Sequence, residues 1–459
     1  MVDSENGYTG KAREILDKFK VDVWDKVSLE TERAKFVGII LPRQKTLDQL
    51  HIALKLDNGY NVGIALERIK SIKKLGQKKA HYQIPESQFP KDPKKPNVIL
   101  LGTGGTIASR LDYKTGAVIP AFSPGELYGA VPELADIANL TTKKIFGIFS
   151  EDMGPKQYIP LAKEIKNCIE EGYDGIVIGH GTDTLHHTAS ILSFMVQDPP
   201  IPIVLVGSQR SSDRPSSDAA LNLMNAVYTA AYSDIAEVMV CMFGPTSDKY
   251  DLLHRGTRVR KMHSSYRSTF RTIGDRPLAM VRVNEIKHLV KEYKKRRKDR
   301  KVRIYPYFEE KVTLQYYYPN MQPDLIEAIM EKGYKGLIIA GTGLGHVNRA
   351  LFPILKEAVK KMHIYMTVQT LWGYVHMNVY DTGRYLLDLG VIPCENMLPE
   401  VAYVKLAWAL GQTEDREKVK KIMLTPIAGE ITEREPYDGY IILQGGIPEV
   451  DEFLKKILL

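Results

Sequence analysis

Two glycine-rich turns bearing threonine follow short apolar runs in this chain: Thr103-Gly104-Gly105-Thr106-Ile107 after Val98-Ile99-Leu100-Leu101, and His180-Gly181-Thr182-Asp183-Thr184 after Gly175-Ile176-Val177-Ile178-Gly179. A hydroxyl at the carboxyl end of a buried strand, beside glycines that let backbone N–H groups approach a ligand, is how an open α/β sheet presents a nucleophile with an oxyanion site. The second turn adds another hydroxyl and a carboxylate. Arg258-Val259-Arg260-Lys261-Met262 follows a third strand-like run and offers an ammonium that can reach the pair. Threonine is a poor nucleophile until a base removes its proton, and a lysine in a desolvated, charge-compensated pocket can be that base. Alone, the first turn reads equally as a helix-capping device, since threonine and glycine are ordinary at helix N-termini. The second turn weakens that reading. Thr103, Thr182, Asp183 and Lys261 therefore form a candidate catalytic set.

Other motifs point away from nucleotide and metal chemistry. Gly341-Thr342-Gly343-Leu344-Gly345 has the spacing G-x-G-x-G with no acidic residue suitably placed about 20 positions on, so it reads as a tight strand-to-helix turn. No G-x-x-x-x-G-K-[ST] pattern occurs, hence no visible P-loop. His186 and His187 adjoin the second turn, but adjacent helical residues point in different directions and no H-E-x-x-H spacing supports zinc; they read as core or supporting residues. Cys168, Cys241 and Cys394 are isolated, which argues against a disulfide framework or zinc site and suits a reducing cytosol.

The elements that must hold the candidate set begin at Asn97. Gly175–Gly179, 203–207 and 238–243 are strand-like, separated by helical patterns such as 159–171, where Ile159, Ala162, Ile165 and Ile169 share a face that ends at Gly172. Such alternation implies a parallel sheet covered by helices on both faces. Right-handed crossovers put every strand's carboxyl end on one edge, so turns about 80 residues apart converge. A second α/β unit is expected from Val312-Thr313-Leu314, Gly336-Leu337-Ile338-Ile339-Ala340 and Met366-Thr367-Val368. Upstream, a short helix around Ala12 to Phe19 introduces strand patterns through Val27, Leu29 and Thr31, then Ile52, Leu54 and Leu56, the hairpin signal Asp57-Asn58-Gly59, and Tyr60, Val62, Ile64 and Leu66. This is a small antiparallel sheet or barrel. Pro85, Pro90 and Pro93 lie in the charged segment from Gln83 to Lys95, which reads as a linker.

The expected organisation is a β module over 1–85, a linker over 86–96, a large α/β domain over 97–305, a smaller one over 306–425 and a tail over 426–459. The chain's 459 residues, 44% hydrophobic, are ample for more than one core. A net charge of +8 is permissive toward phosphate-rich partners and no more. Lys291 to Arg303, with nine basic residues and little apolar content, reads as a solvated connector or as a surface for RNA or an acidic partner. No run approaches the roughly 18 apolar residues of a membrane span, so neither insertion nor export is expected.

The two turns, in this order and separation, resemble the paired signatures of the bacterial-type L-asparaginases. What the resemblance implies is an asparaginase-like pair of α/β domains with parallel sheets. It places the nucleophile at Thr103 and the threonine–aspartate–lysine relay at Thr182, Asp183 and Lys261. Tyr113, within Asp112-Tyr113-Lys114-Thr115-Gly116, matches the tyrosine of a lid, and Ser150, with Glu151 and Gly181, the binding site for the amino acid. Glu151 stands where the stand-alone enzymes commonly have glutamine; that exchange, the extra amino-terminal module and the longer tail from Ile422 resemble the D subunits of archaeal-type glutamyl-tRNA(Gln) amidotransferases. So do Leu371-Trp372-Gly373 and the segment from Met397 to Lys405. This resemblance implies a glutaminase that supplies ammonia to an E subunit, where ATP and magnesium are used on Glu-tRNA(Gln). It also implies no intrinsic cofactor or metal, contact with tRNA mainly through the partner, a homodimer core within a heterotetramer, and a cytoplasmic place. A stand-alone asparaginase or glutaminase, and a non-catalytic RNA-binding protein on the same scaffold, are the competing expectations.

Overall fold

The computed structural model describes residues 7–43, 48–57, 60–77, 91–104, 131–210, 216–245 and 248–437, with the backbone of 109–111 and 118–120. Asn58, Gly59, Tyr113 and residues 83–90 lie outside the described residues.

In the first module, helix α1 (Gly10–Lys18) precedes strands β1 (Asp25–Thr31), β2 (Lys35–Ile40), β3 (His51–Leu56), β4 (Asn61–Ala65) and β5 (Ile69–Gln77). They pair antiparallel in the order β4-β3-β2-β1-β5. Period-two alternation turns Val27, Leu29, Ile52, Leu54 and Ile64 to one side, where Ala12 and Leu16 of α1 close the core. Strands β4 and β5 are not paired with each other among the described residues, so this sheet is open.

The large domain is a sheet with the order β15-β14-β11-β10-β9-β8-β6-β7. Its parallel part comprises β6 (Asn97–Gly104), β7 (Asn139–Ile148), β8 (Gly175–Gly179), β9 (Ile203–Val206) and β10 (Val238–Phe243). Successive side chains go to opposite faces: Ile99, Leu101, Ile176, Ile178 and Leu205 pack toward α2 (Pro155–Glu170) and α3 (Leu185–Met195), whereas Val98, Leu100, Val177 and Val204 face α4 (Ala219–Tyr232). Burial on both faces explains why these strands read as continuous apolar runs. On α2 the buried line is Tyr158, Leu161, Ala162, Ile165 and Cys168, with Ile159 and Ile169 at its margin, a small rotation from the face read in the sequence.

After β10 the chain reverses, Gly244 N–H donating to Tyr250 O. The antiparallel strands β11 (Asp251–Arg255), β14 (Ala279–Arg282) and β15 (Glu285–His288) extend the sheet. Between them a separate hairpin, β12 (Val259–Lys261) with β13 (Phe270–Thr272), projects Lys261.

The smaller domain has parallel strands in the order β16 (Val312–Tyr316), β17 (Gly336–Gly341), β18 (His363–Val368) and β19 (Ile392–Pro393). Helix α5 (Pro399–Leu410) is buried along its length between the domains, and Trp408 stacks on Phe194 of α3 with ring centroids 5.7 Å apart. The turn at Gly341 closes on itself, Thr342 and His346 exchanging backbone hydrogen bonds, and leads through a short 3-10 turn into a helix.

The basic run is largely exposed but partly paired along the surface. Lys294 and Arg303 pair with Asp198, Lys298 pairs with Asp174, and Arg296 donates to Ala231 O and Asp174 O. Arg300 donates to Pro199 O. These acceptors sit in loops of the large domain and at the end of α4, so the run straps across it. Its composition announced exposure, but long cationic side chains can lie along a surface and direct their charge to local carboxylates and carbonyls.

Candidate active site

Thr103 is the penultimate residue of β6, and Gly102 lies in parallel register with Gly179, the last residue of β8. The hydroxyl of Thr103, 2% exposed, donates to Gly179 O at 2.9 Å, so the first turn is tied to the strand that carries the second. Gly104 has φ +122°, and a Cβ there would lie 2.1 Å from Ile148 O; only glycine permits this departure from the strand.

The second turn is held from beneath. His180 is fully buried; its Nδ1 is 2.7 Å from Gly181 O and its Nε2 2.8 Å from Thr188 Oγ1. A carbonyl only accepts, so Nδ1 carries the proton and Nε2 accepts from the threonine hydroxyl. Burial pushes the His180 imidazole down to about 4, keeping it a neutral strut. A Cβ on Gly181 would lie 2.8 Å from both Cβ and Oγ of Ser150, and one on Gly207 2.8 Å from His180 O and 2.9 Å from Thr182 Cγ2. Both glycines exist because neighbouring atoms occupy their side-chain space.

Lys261 reaches the turn from the β12–β13 hairpin. Its Nζ donates to Thr182 Oγ1 at 3.0 Å and to Asp183 Oδ1 at 2.6 Å. The lysine side chain is 10% exposed and the aspartate 68%, so the ammonium is enclosed while its counter-ion faces solvent. Ser150, 4% exposed, follows β7 and abuts Gly181, and its carbonyl accepts from Thr184 Oγ1 at 2.5 Å. Glu151 is exposed beside it. Thus Thr182, Asp183 and Lys261 are in direct contact, Ser150 and Gly181 touch, and Thr103 sits on the adjoining strand end; Tyr113 lies outside the described residues.

Several supports escaped the sequence reading. Strand β7, which delivers Ser150, is an edge strand rich in threonine and lysine; its weak alternation was the only signal. Arg260 pairs with Glu400 at 2.8 Å, and Arg258, fully buried, donates to Asn396, Gly429 and Thr432. Nothing local in Arg258-Val259-Arg260 announces partners some 140 positions away. The adjacent histidines do not diverge: the rings of His186 and His187 are 4.4 Å apart. Burial lowers both, His187 to about 4, and Arg260 adds to the effect. No cluster of acidic, cysteine or histidine side chains suited to a metal occurs among the described residues, and no helix among them is long and apolar enough to cross a membrane.

A threonine-bearing strand end beside a threonine–aspartate–lysine contact, on paired α/β domains, defines an asparaginase-like amidohydrolase. Residues 97–294 match the family described as "Asparaginase, N-terminal", residues 311–423 the "Glutaminase/Asparaginase C-terminal domain" and residues 21–75 the "GatD N-terminal domain". The L-asparaginase of Thermococcus kodakarensis superposes with a TM-score of 0.66 at 33% identity, covering 73% of this chain and 99% of that one. The D subunit of the glutamyl-tRNA(Gln) amidotransferase of Pyrococcus abyssi is 48% identical over 435 residues, covering 93% of this chain and 99% of its own length. That of Pyrococcus furiosus is 50% identical over 432 residues, 92% of this chain and 98% of its own. The chain belongs to the family of glutamyl-tRNA(Gln) amidotransferase D subunits.

Proposed function

We propose that this chain hydrolyses L-glutamine to glutamate and ammonia as the glutaminase subunit of a tRNA-dependent amidotransferase. The observation that carries this reading is the contact of Lys261 with Thr182 and Asp183 beside the strand end bearing Thr103. Thr103 first leaves its hydrogen bond to Gly179 O. Its oxygen then attacks the side-chain amide carbon while its proton passes through Thr182 to Lys261, which takes it as the neutral amine, and backbone N–H groups of the glycine turns hold the oxyanion. The C–N bond breaks, nitrogen leaves as ammonia with the relayed proton, and water cleaves the acyl-threonine ester to release glutamate. Ser150, Glu151 and Gly181 hold the amino acid's own charges, and Tyr113 assists Thr103.

The released ammonia is used by an E subunit on Glu-tRNA(Gln) activated by ATP with magnesium, in a cytoplasmic heterotetramer with this chain as its dimeric core. Near-complete collinearity with the D-subunit relatives supports that placement over a stand-alone asparaginase or glutaminase. The contact of Lys261 with Thr182 and Asp183 disfavours a non-catalytic RNA-binding protein. The test is ammonia release from glutamine and from asparagine, with and without the partner and Glu-tRNA(Gln). Stimulation of glutamine turnover by both additions supports the reading, and equal turnover of either amide regardless of them refutes it.

A further inference from the structure

Lys261 occupies the end of a three-residue strand, and β-strand side chains alternate in direction. Lys261 points to Thr182 and Asp183, whereas Arg258 and Arg260, on the other side, both reach the second domain. Arg258 donates to Asn396 O and Oδ1, each at 2.9 Å. Arg260 donates to Glu400 Oε2 at 2.8 Å and lies beside the phenol of Tyr316 at the end of β16. Asn396 and Glu400 bracket the start of α5. The strand is therefore stapled by one face to the second domain while its other face delivers the lysine amine to the first.

The Glu400 carboxylate is 4% exposed, and its Oε1 has no hydrogen-bond partner. A buried carboxylate with one oxygen unpartnered repays little of its desolvation cost, and replacing such pairs by apolar residues is often neutral or stabilising. What this pair does give is a fixed position: a guanidinium at hydrogen-bond distance cannot slide along its strand. Lys261, one residue on, inherits that position.

We propose that Arg260 and Glu400 are positioning residues for Lys261, so that docking of the second domain on the first sets the distance from the lysine amine to Thr182. The inference rests on the proposed role of Lys261 in the reaction. It makes the second domain part of the catalytic apparatus.

The test measures kcat and KM for glutamine in full-length Glu400→Ala, Glu400→Gln and Lys261→Met proteins. Glu400→Ala should lower kcat about ten- to a hundredfold, the scale of a misplacement near one ångström, with KM changed less than about twofold. Glu400→Gln keeps an acceptor for Arg260 and should recover most of the loss. Should Glu400→Ala not fold, Arg260→Lys, which keeps charge but loses reach, should show the same kcat-selective loss. Leu355→Ala opens a cavity in the core of the second domain away from α5 and should lower the melting temperature with kcat unchanged. The proposal is overturned by wild-type kcat in Glu400→Ala or, if that does not fold, in Arg260→Lys. It is equally overturned if Leu355→Ala loses kcat to the same extent. Activity retained in Lys261→Met would instead remove Lys261 from the reaction, whereas an inactive Lys261→Met beside a fully active Glu400→Ala overturns only the positioning.

Discussion

Lys261 and Thr182 are 79 positions apart, yet the ammonium of one donates to the hydroxyl of the other at 3.0 Å. The bond leaves the Thr182 proton free to turn away from the lysine. It also holds the ammonium in an enclosure 10% open to solvent, against the Asp183 carboxylate; only after giving up a proton can this nitrogen serve as the base proposed for it.

Replacing Lys261 by methionine should keep most of the buried stem packed and remove the amine. Glutaminase turnover is expected to fall by about 10²–10⁴-fold, the contribution usual for acid–base groups, with folding preserved by circular dichroism. Turnover near that of the parent would assign the proton to another base.

Thr103→Val keeps the shape of a fully packed strand residue and deletes its oxygen. Ammonia release should drop on the order of 10⁴-fold or more, as for loss of a covalent nucleophile. The lost hydrogen bond to Gly179 O should cost about 1 kcal/mol in denaturant unfolding. An active, folded Thr103→Val protein would dismiss an acyl-threonine intermediate.

At Gly181 a methyl group would enter the space of the Ser150 side chain, 2.8 Å away. Gly181→Ala should therefore raise KM for glutamine about tenfold or more, with kcat less affected, if Ser150 holds the substrate's carboxylate. Steady-state kinetics separate the two parameters.

Lys405 and Glu430 are both fully buried, and the ammonium also donates to Met423 O and Thr425 O at 2.8 Å. Glu430→Ala leaves a cation enclosed without its partner, which should cost about 3–5 kcal/mol in urea unfolding. Wild-type stability in that variant would mean the segment after α5 is not anchored there.

His180 titrates at about 4 in the folded chain instead of 6.5 because burial disfavours its charge. The unfolded chain therefore binds the proton first. Between about pH 6.5 and 4 this residue lowers stability as pH falls, by at most about 3 kcal/mol, and adds no further change below. Melting temperatures of the parent and of His180→Gln, recorded at pH 5 and pH 7, should differ in slope, with the variant less sensitive. Equal slopes would contradict a neutral buried imidazole.

Much of this was legible in the chain. Residues 98–101, 175–179 and 203–206 are buried on both faces, and such strands must be apolar throughout, so they stand out from their neighbours. The turns were legible for a related reason: a hydroxyl beside glycines whose Cβ atoms would collide with backbone or Ser150 leaves few permissible residues. The strand at 139–148 was not legible, because an edge strand tolerates polar side chains and its propensity signal is weak. The exposure of the run at 291–303 was legible, whereas its pairing with Asp174 and Asp198 was not, because charge composition does not say whether carboxylates wait nearby.

By itself the sequence determined which segments are strands of a doubly covered sheet, where its turns carry hydroxyls, and which family of amidohydrolases those turns resemble. These are local matters of periodicity and of residues that fit a backbone geometry. Only the tertiary structure decided that Lys261 meets Thr182, that Arg260 finds Glu400 in the other domain, and that Ser150 lies against Gly181. Each is a contact between side chains far apart in the chain, and its length depends on how sheet, hairpin and helix pack against one another. No local pattern encodes that distance.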